Sequence, residues 1–136
     1  MDDAEIAAQL RLSATRLHRR LRQEAGSGLS PSQGSALAAI HNKGPLTLGA
    51  LAEHERVAPP TITKVVAFLE REALVERSAD PNDKRVTRVQ STKKGAALIE
   101  ESRRRKTQWL VKQIEGLSPE DRAALAAALP VLEELR

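Results

Sequence analysis

The 136-residue chain has no cysteine and no tyrosine, and its only aromatic residues besides histidine are Phe68 and Trp109. Without thiols there is no disulfide, thiol redox switch, cysteine nucleophile or thiolate metal site. Two aromatic side chains supply no material for an aromatic-lined ligand cage. No run approaches the roughly 18 apolar residues that span a bilayer. The opening MDDAEIAAQL carries acids where a secretory leader has a basic segment. The expectation is a cytoplasmic protein without membrane contact.

What is present is the composition of one globular domain, 40% hydrophobic and 29% charged, long enough for one real core. The net charge is +4, and its placement says more than its size. Between Arg77 and Lys94 stand six cations, Arg77, Lys84, Arg85, Arg88, Lys93 and Lys94, against Asp80 and Asp83. That segment holds an excess equal to the whole chain's, the electrostatic footprint of a polyanion partner.

Periodicity gives the elements. Ile6, Leu10, Leu17 and Leu21 form one stripe of a first helix, closed by Gly26 and Gly28. Ser30, Pro31 and Gln33 make a capping-box start for a second, which stops at Gly44. Thr47 opens a short third helix, and a fourth runs from Pro59 to about Glu72 with Ile62, Val65, Val66 and Leu69 inward. LVERS and RVTRVQ read as two strands of a hairpin around SADPNDK. Thr92 caps a long helix to Glu115, and Ser118 with Pro119 starts a last one, which Pro130 should kink or interrupt.

Two short helices joined by a tight turn and followed by a hairpin form the helix-turn-helix plan with a wing. The second of the pair lies in the DNA major groove, so Thr61, Thr63 and Lys64, off its apolar stripe, are candidates for base edges and phosphates. At the wing tip Arg85, and after it Lys84, suits a narrow minor groove, with Asp80 and Asp83 bracing the turn. DPND imitates the opening of a calcium loop, but Lys84 stands at the third ligand position and no glycine follows, so that reading fails.

The stretch from Gly44 to Glu100 resembles the MarR family of bacterial winged helix-turn-helix regulators. The most specific pieces are D-x-x-D-x-R at Asp80, Asp83 and Arg85, and T-x-x-G from Thr92 to Gly95. The resemblance implies a mainly α fold with a small β-hairpin wing, residues 30–100 binding DNA and residues 1–25 and 101–136 forming a helical dimerisation region. It implies a homodimer on a pseudo-palindromic double-stranded operator, usually a repressor, and often release by a small anionic aromatic or phenolic effector; no other cofactor and no metal are implied. Carried over, Thr61, Thr63 and Lys64 fall on the recognition helix. Arg85 is the minor-groove arginine, Asp83 its partner, and Ser32 and Gln33 sit where the family touches the backbone. Arg77, Lys84 and Arg88 complete the cationic face. The chain departs from the family at Glu55, Arg56, Ala58, Ala73 and Ser91, which points to altered helix-turn-helix geometry.

Ile6, Leu10, Leu125, Leu129 and Leu132 mark the dimer surface, because one domain of this size struggles to bury their stripe alone. For an effector, Arg16, Arg20 and His41 are the candidate charges, with Ala36, Ala39 and Ile40 as apolar walls. Arg103, Arg104, Arg105 and Lys106 are consecutive and splay around a helix, so they are expected to be solvated. An enzyme is disfavoured: His18, His41 and His54 fall on different elements and no H-E-x-x-H or G-x-S-x-G occurs. A winged-helix protein-interaction module and a metal-sensing regulator stay open as alternatives.

Overall fold

The computed structural model describes residues Met1–Arg136. Capping chemistry sets most of its boundaries. Asp2 and Glu5 form a capping box at the start of α1 (Asp3–Ala25), and Ser30 and Gln33 form another at α2 (Pro31–Lys43). Thr47, Thr92 and Ser118 each accept a backbone N–H at the start of α3 (Leu48–Glu55), α5 (Lys93–Glu115) and α6 (Pro119–Glu133). The exception is α4 (Pro59–Arg71), whose cap position holds Ala58 and has no side-chain hydrogen bond.

The hairpin strands β2 (Val75–Ala79) and β3 (Thr87–Ser91) pair antiparallel as expected. A third strand, β1 (Leu46–Thr47), adds to the far edge of β3 and gives the order β1-β3-β2. Two residues carry no period-2 signal, which is why the sequence shows only the hairpin.

Leu37, Ile40, Leu51, Val66, Leu69 and Val89 are fully buried and join α2, α3, α4 and the sheet in one core. Only 17 of 136 residues are buried, and the helical ends contribute little: α1 buries Ala25 alone and α6 buries nothing. α6 also runs unbroken through Pro130, against the expected interruption. Proline there deprives the Ala126 carbonyl of its helical donor, a loss that water offsets on a helix this exposed.

The seam between α4 and the wing is strained and tightly held. Ala73 adopts φ +59°, the left-handed conformation natural to glycine. The Thr92 hydroxyl donates to the Ala73 carbonyl (2.6 Å), and the Lys94 ammonium donates to that of Glu72 (2.8 Å). Thr92 Oγ1 also accepts from Gly95 N (3.1 Å), and a Cβ at Gly95 would collide with the Leu74 carbonyl. The T-x-x-G start of α5 thus clamps the residue that a side chain disfavours. Ala73→Gly is expected to raise stability by about 0.5–1 kcal/mol, read from the urea midpoint at unchanged slope. A lower midpoint would show that Ala73 carries no strain.

Candidate nucleic-acid interface

Along α4, Ile62, Val66 and Leu69 are buried and Val65 is half-buried, which leaves Thr61, Thr63 and Lys64 exposed on the opposite face. Thr61 and Lys64 make no side-chain hydrogen bond within the chain, whereas Thr63 donates its hydroxyl to the Pro59 carbonyl (3.0 Å) and keeps only acceptor capacity for a base edge. Ser32 of α2 and Thr61 share the wall of a small concavity of about 230 Å³, with Glu55 and Val57 of the turn between them. Gln33 is occupied as the partner of Ser30 in the α2 capping box. Arg56 closes α3 at φ +55°, so the turn keeps a left-handed residue although it is not glycine.

The wing tip is built around Asp80, whose side chain is only 10% exposed. Its Oδ1 accepts from the backbone N–H of Asn82 (2.8 Å) and Asp83 (3.1 Å), and its Oδ2 from Arg88 Nε (2.6 Å). The Arg88 guanidinium, followed by the Asn82 amide, holds the Asp80 carboxyl below its ordinary range. Asp83 is lowered too, first by the Arg85 guanidinium, whose Nε and Nη2 both reach it at 3.1 Å, and then by the Arg85 amide. The Arg85 side chain remains 91% exposed. Lys84 beside it is exposed and unpaired.

The cations expected to act together therefore divide. Arg85 and Lys84 project from the tip. Arg88 is half-buried and committed to Asp80, and Arg77 is committed to Glu70 of α4 (2.6 Å), so their guanidinium groups brace the wing rather than extend its free charge. The Asp80–Arg88 bond is a signal the alternation of β3 could have supplied, because it links the two feet of the turn across eight residues. At Ser91 the hydroxyl lies 3.3 Å from His41 Nδ1, so the unusual polar residue ending β3 finds a polar partner on α2.

A larger cavity of about 620 Å³ lies between the second half of α1, the start of α2 and the middle of α5. None of the six residues expected around an effector lines it. Ala36, Ala39 and Ile40 are core, and His41 meets Ser91. Arg16 is exposed, and Arg20 pairs with Glu24 (2.8 Å) while lying over the Trp109 ring (5.2 Å to its centroid). The charges on the cavity wall are instead Arg19 and Arg22 of α1 and Arg103 and Lys106 of α5, with His18. Each helix contributes an i, i+3 pair, the spacing that puts both on one face. The four consecutive cations of α5 do splay, but in two sets, because Arg104 and Arg105 turn to Glu101 and hold its pKa down at about 2. No three His, Asp or Glu side chains converge to hold a metal ion.

The pattern of a MarR family model matches residues 29–87, which span α2 to the start of β3. An uncharacterised HTH-type transcriptional regulator of Mycobacterium leprae is 40% identical over 98% of this chain and 94% of its own. The chain belongs to the MarR family. A crystal structure of a Pseudomonas aeruginosa transcriptional regulator superposes with a TM-score of 0.86 at 37% identity, covering 98% of this chain and 94% of that one. A point mutant of Staphylococcus aureus MepR, bound to an oligodeoxyribonucleotide, shares the fold at a TM-score of 0.73 and 22% identity, covering 96% and 98%. As a MarR-family member the protein is a DNA-binding transcriptional regulator and not an enzyme. Two of the residues at which the chain departs from the family adopt left-handed backbone, Arg56 at φ +55° and Ala73 at φ +59°, at the cost of strain.

Proposed function

We propose that this regulator binds a pseudo-palindromic operator as a homodimer, represses by occupying it, and is released by a small anionic effector. One observation supports the DNA geometry most directly. The unpaired Thr61 and Lys64 of α4 and the exposed Arg85 of the wing, held only by Asp83 beside it, present polar groups to solvent on neighbouring elements of one lobe. A helix in the major groove and a cation in the adjacent minor groove use such groups together. Homodimerisation is supported by the apolar side chains left uncovered on α1 and α6, among them Ile6 (49% exposed) and Leu129 (55%). Leu10, Leu125 and Leu132 lie on the same two helices. The bound oligodeoxyribonucleotide of MepR agrees with the proposal at the level of the fold.

Selection of bound duplexes from a random pool tests it. The expected product is a sequence of two inverted half-sites about one helical turn apart, with protection on one face of the duplex. Recovery of single, unpaired half-sites would sink the homodimeric operator reading while leaving DNA binding intact.

A further inference from the structure

Arg56 occupies the turn between α3 and α4 at φ +55°, a backbone region that favours glycine and strains an arginine. Its N–H closes α3 by donating to the Ala52 and Glu53 carbonyls, which a glycine would do without strain. The side chain gives the fold nothing in return: it is exposed and forms no ion pair or hydrogen bond within the chain. The acid beside it, Glu55, has His54 Nδ1 at 3.5 Å instead. Glu55 and Val57, which flank Arg56, wall the concavity shared by Ser32 and Thr61, so the turn sits between the starts of α2 and α4.

The start of α4 is short of groups that hold a phosphate. A helix N-terminus ordinarily presents free N–H groups, and often a capping hydroxyl, to an anion. Here Ala58 has no hydroxyl, Pro59 and Pro60 have no N–H, and the amides of Thr61 and Ile62 both donate to the Ala58 carbonyl. Several cations near the wing are committed elsewhere: Arg77 to Glu70, Arg88 to Asp80 and Lys94 to the Glu72 carbonyl. Arg56 is an uncommitted cation two residues ahead of this depleted helix start.

We propose that Arg56 is a further DNA-binding residue, its guanidinium holding the backbone phosphate at the groove edge that the donor-poor start of α4 leaves unheld. A planar fork of N–H donors matches phosphate oxygens and stands in for the missing amides. The contact fixes the position of the lobe on the duplex and carries no base information. It rests on the reading that α4 enters the major groove, for which the unpaired Lys64 is the separate check. The strain at Arg56 is then what placing a cation in the turn entails. Ala73, the other left-handed residue, bears only a methyl group and serves as the control.

Urea unfolding and titration of selected operator duplex, both on the full chain, separate the side chain's role from the turn's. Arg56→Gly is expected to raise the urea midpoint and yet to weaken DNA binding about tenfold. The slope of log K against log salt should fall by about one unit for each chain bound. Arg56→Gln keeps the strained backbone and loses the charge, so it should show the same binding loss and slope at the wild-type midpoint. Ala73→Gly should raise the midpoint and leave affinity and slope alone. Unchanged affinity and slope in Arg56→Gly and Arg56→Gln overturn the proposal. So does weaker binding at the wild-type slope, which would assign Arg56 to the shape of the turn. Should both Arg56 variants bind normally, Lys64→Gln decides what else falls: weakened binding there leaves the major-groove reading standing, and unchanged binding removes it too.

Discussion

Leu129→Glu combined with Leu132→Glu is expected to produce a folded monomer with operator affinity lowered at least about a hundredfold. α6 buries no residue within one chain, and these two leucines are 55% and 43% exposed, so their replacement removes nothing from the core around Leu37 and Val66. Circular dichroism and the thermal midpoint of the lobe should therefore hardly move. In a two-fold symmetric dimer each substitution occurs twice. At about 2 kcal/mol for each leucine removed from an apolar interface, four lost side chains cost about 8 kcal/mol before repulsion of the glutamates is counted. That is enough to dissociate a dimer of ordinary affinity at micromolar concentration. A monomer reaches one half-site and loses the effective concentration that a linked second lobe provides, which sets the hundredfold estimate. Light scattering that still gives the dimer mass, with unchanged operator binding, would put the dimer surface elsewhere than α6.

Elements that announce themselves locally are legible in the sequence. Ser30 with Gln33, Thr92 and Ser118 carry their helix starts in three or four consecutive residues, and each cap forms. The outward face of α4 is legible for the same reason, since Ile62, Val66 and Leu69 repeat at helical spacing and leave Thr61, Thr63 and Lys64 outside. What stays hidden depends on partners distant in the chain. β1 exists because β3 lies beside it, and the Ser91 hydroxyl reaches His41 only once α2 lies against the sheet. Of the residues expected near an effector, the two arginines of α1 lie off the large cavity by a rotation of that helix. Arg19 and Arg22 line it, whereas Arg16 and Arg20 do not, and the Trp109 ring that claims Arg20 belongs to the distant α5. A periodicity defines the faces of a helix but not which neighbour each will meet. The left-handed Arg56 and Ala73 show the converse, a backbone set by the fold against the preference of its residues.

Arg85→Ala and Arg88→Ala, three positions apart on one wing, are expected to fail in different ways. The Arg85 side chain is 91% exposed and held only by Asp83, itself on the exposed tip. Removing it leaves the wing's internal bonds in place, because Asp80 still holds the Asn82 and Asp83 amides and Arg88. Operator affinity should fall about ten- to a hundredfold, the value of a charge-assisted contact. The slope of log K against log salt should fall by about one unit, as when one cation–phosphate contact is lost. Arg88 is half-buried with its Nε on Asp80, so its loss leaves a carboxylate that is 10% exposed without its counter-charge. That variant should show faster amide exchange at Asn82, Asp83 and Val86, and weaker DNA binding with a salt slope near the wild type. The pH dependence follows from the same bond. A carboxyl depressed in the folded state contributes stability above its unfolded pKa of about 4 and loses it as pH falls through the folded value. Acid below about pH 4 should therefore loosen the wild-type wing as Arg88→Ala does at neutral pH. Identical salt slopes and identical exchange in the two variants would mean that the wing does not separate a reading arginine from a bracing one.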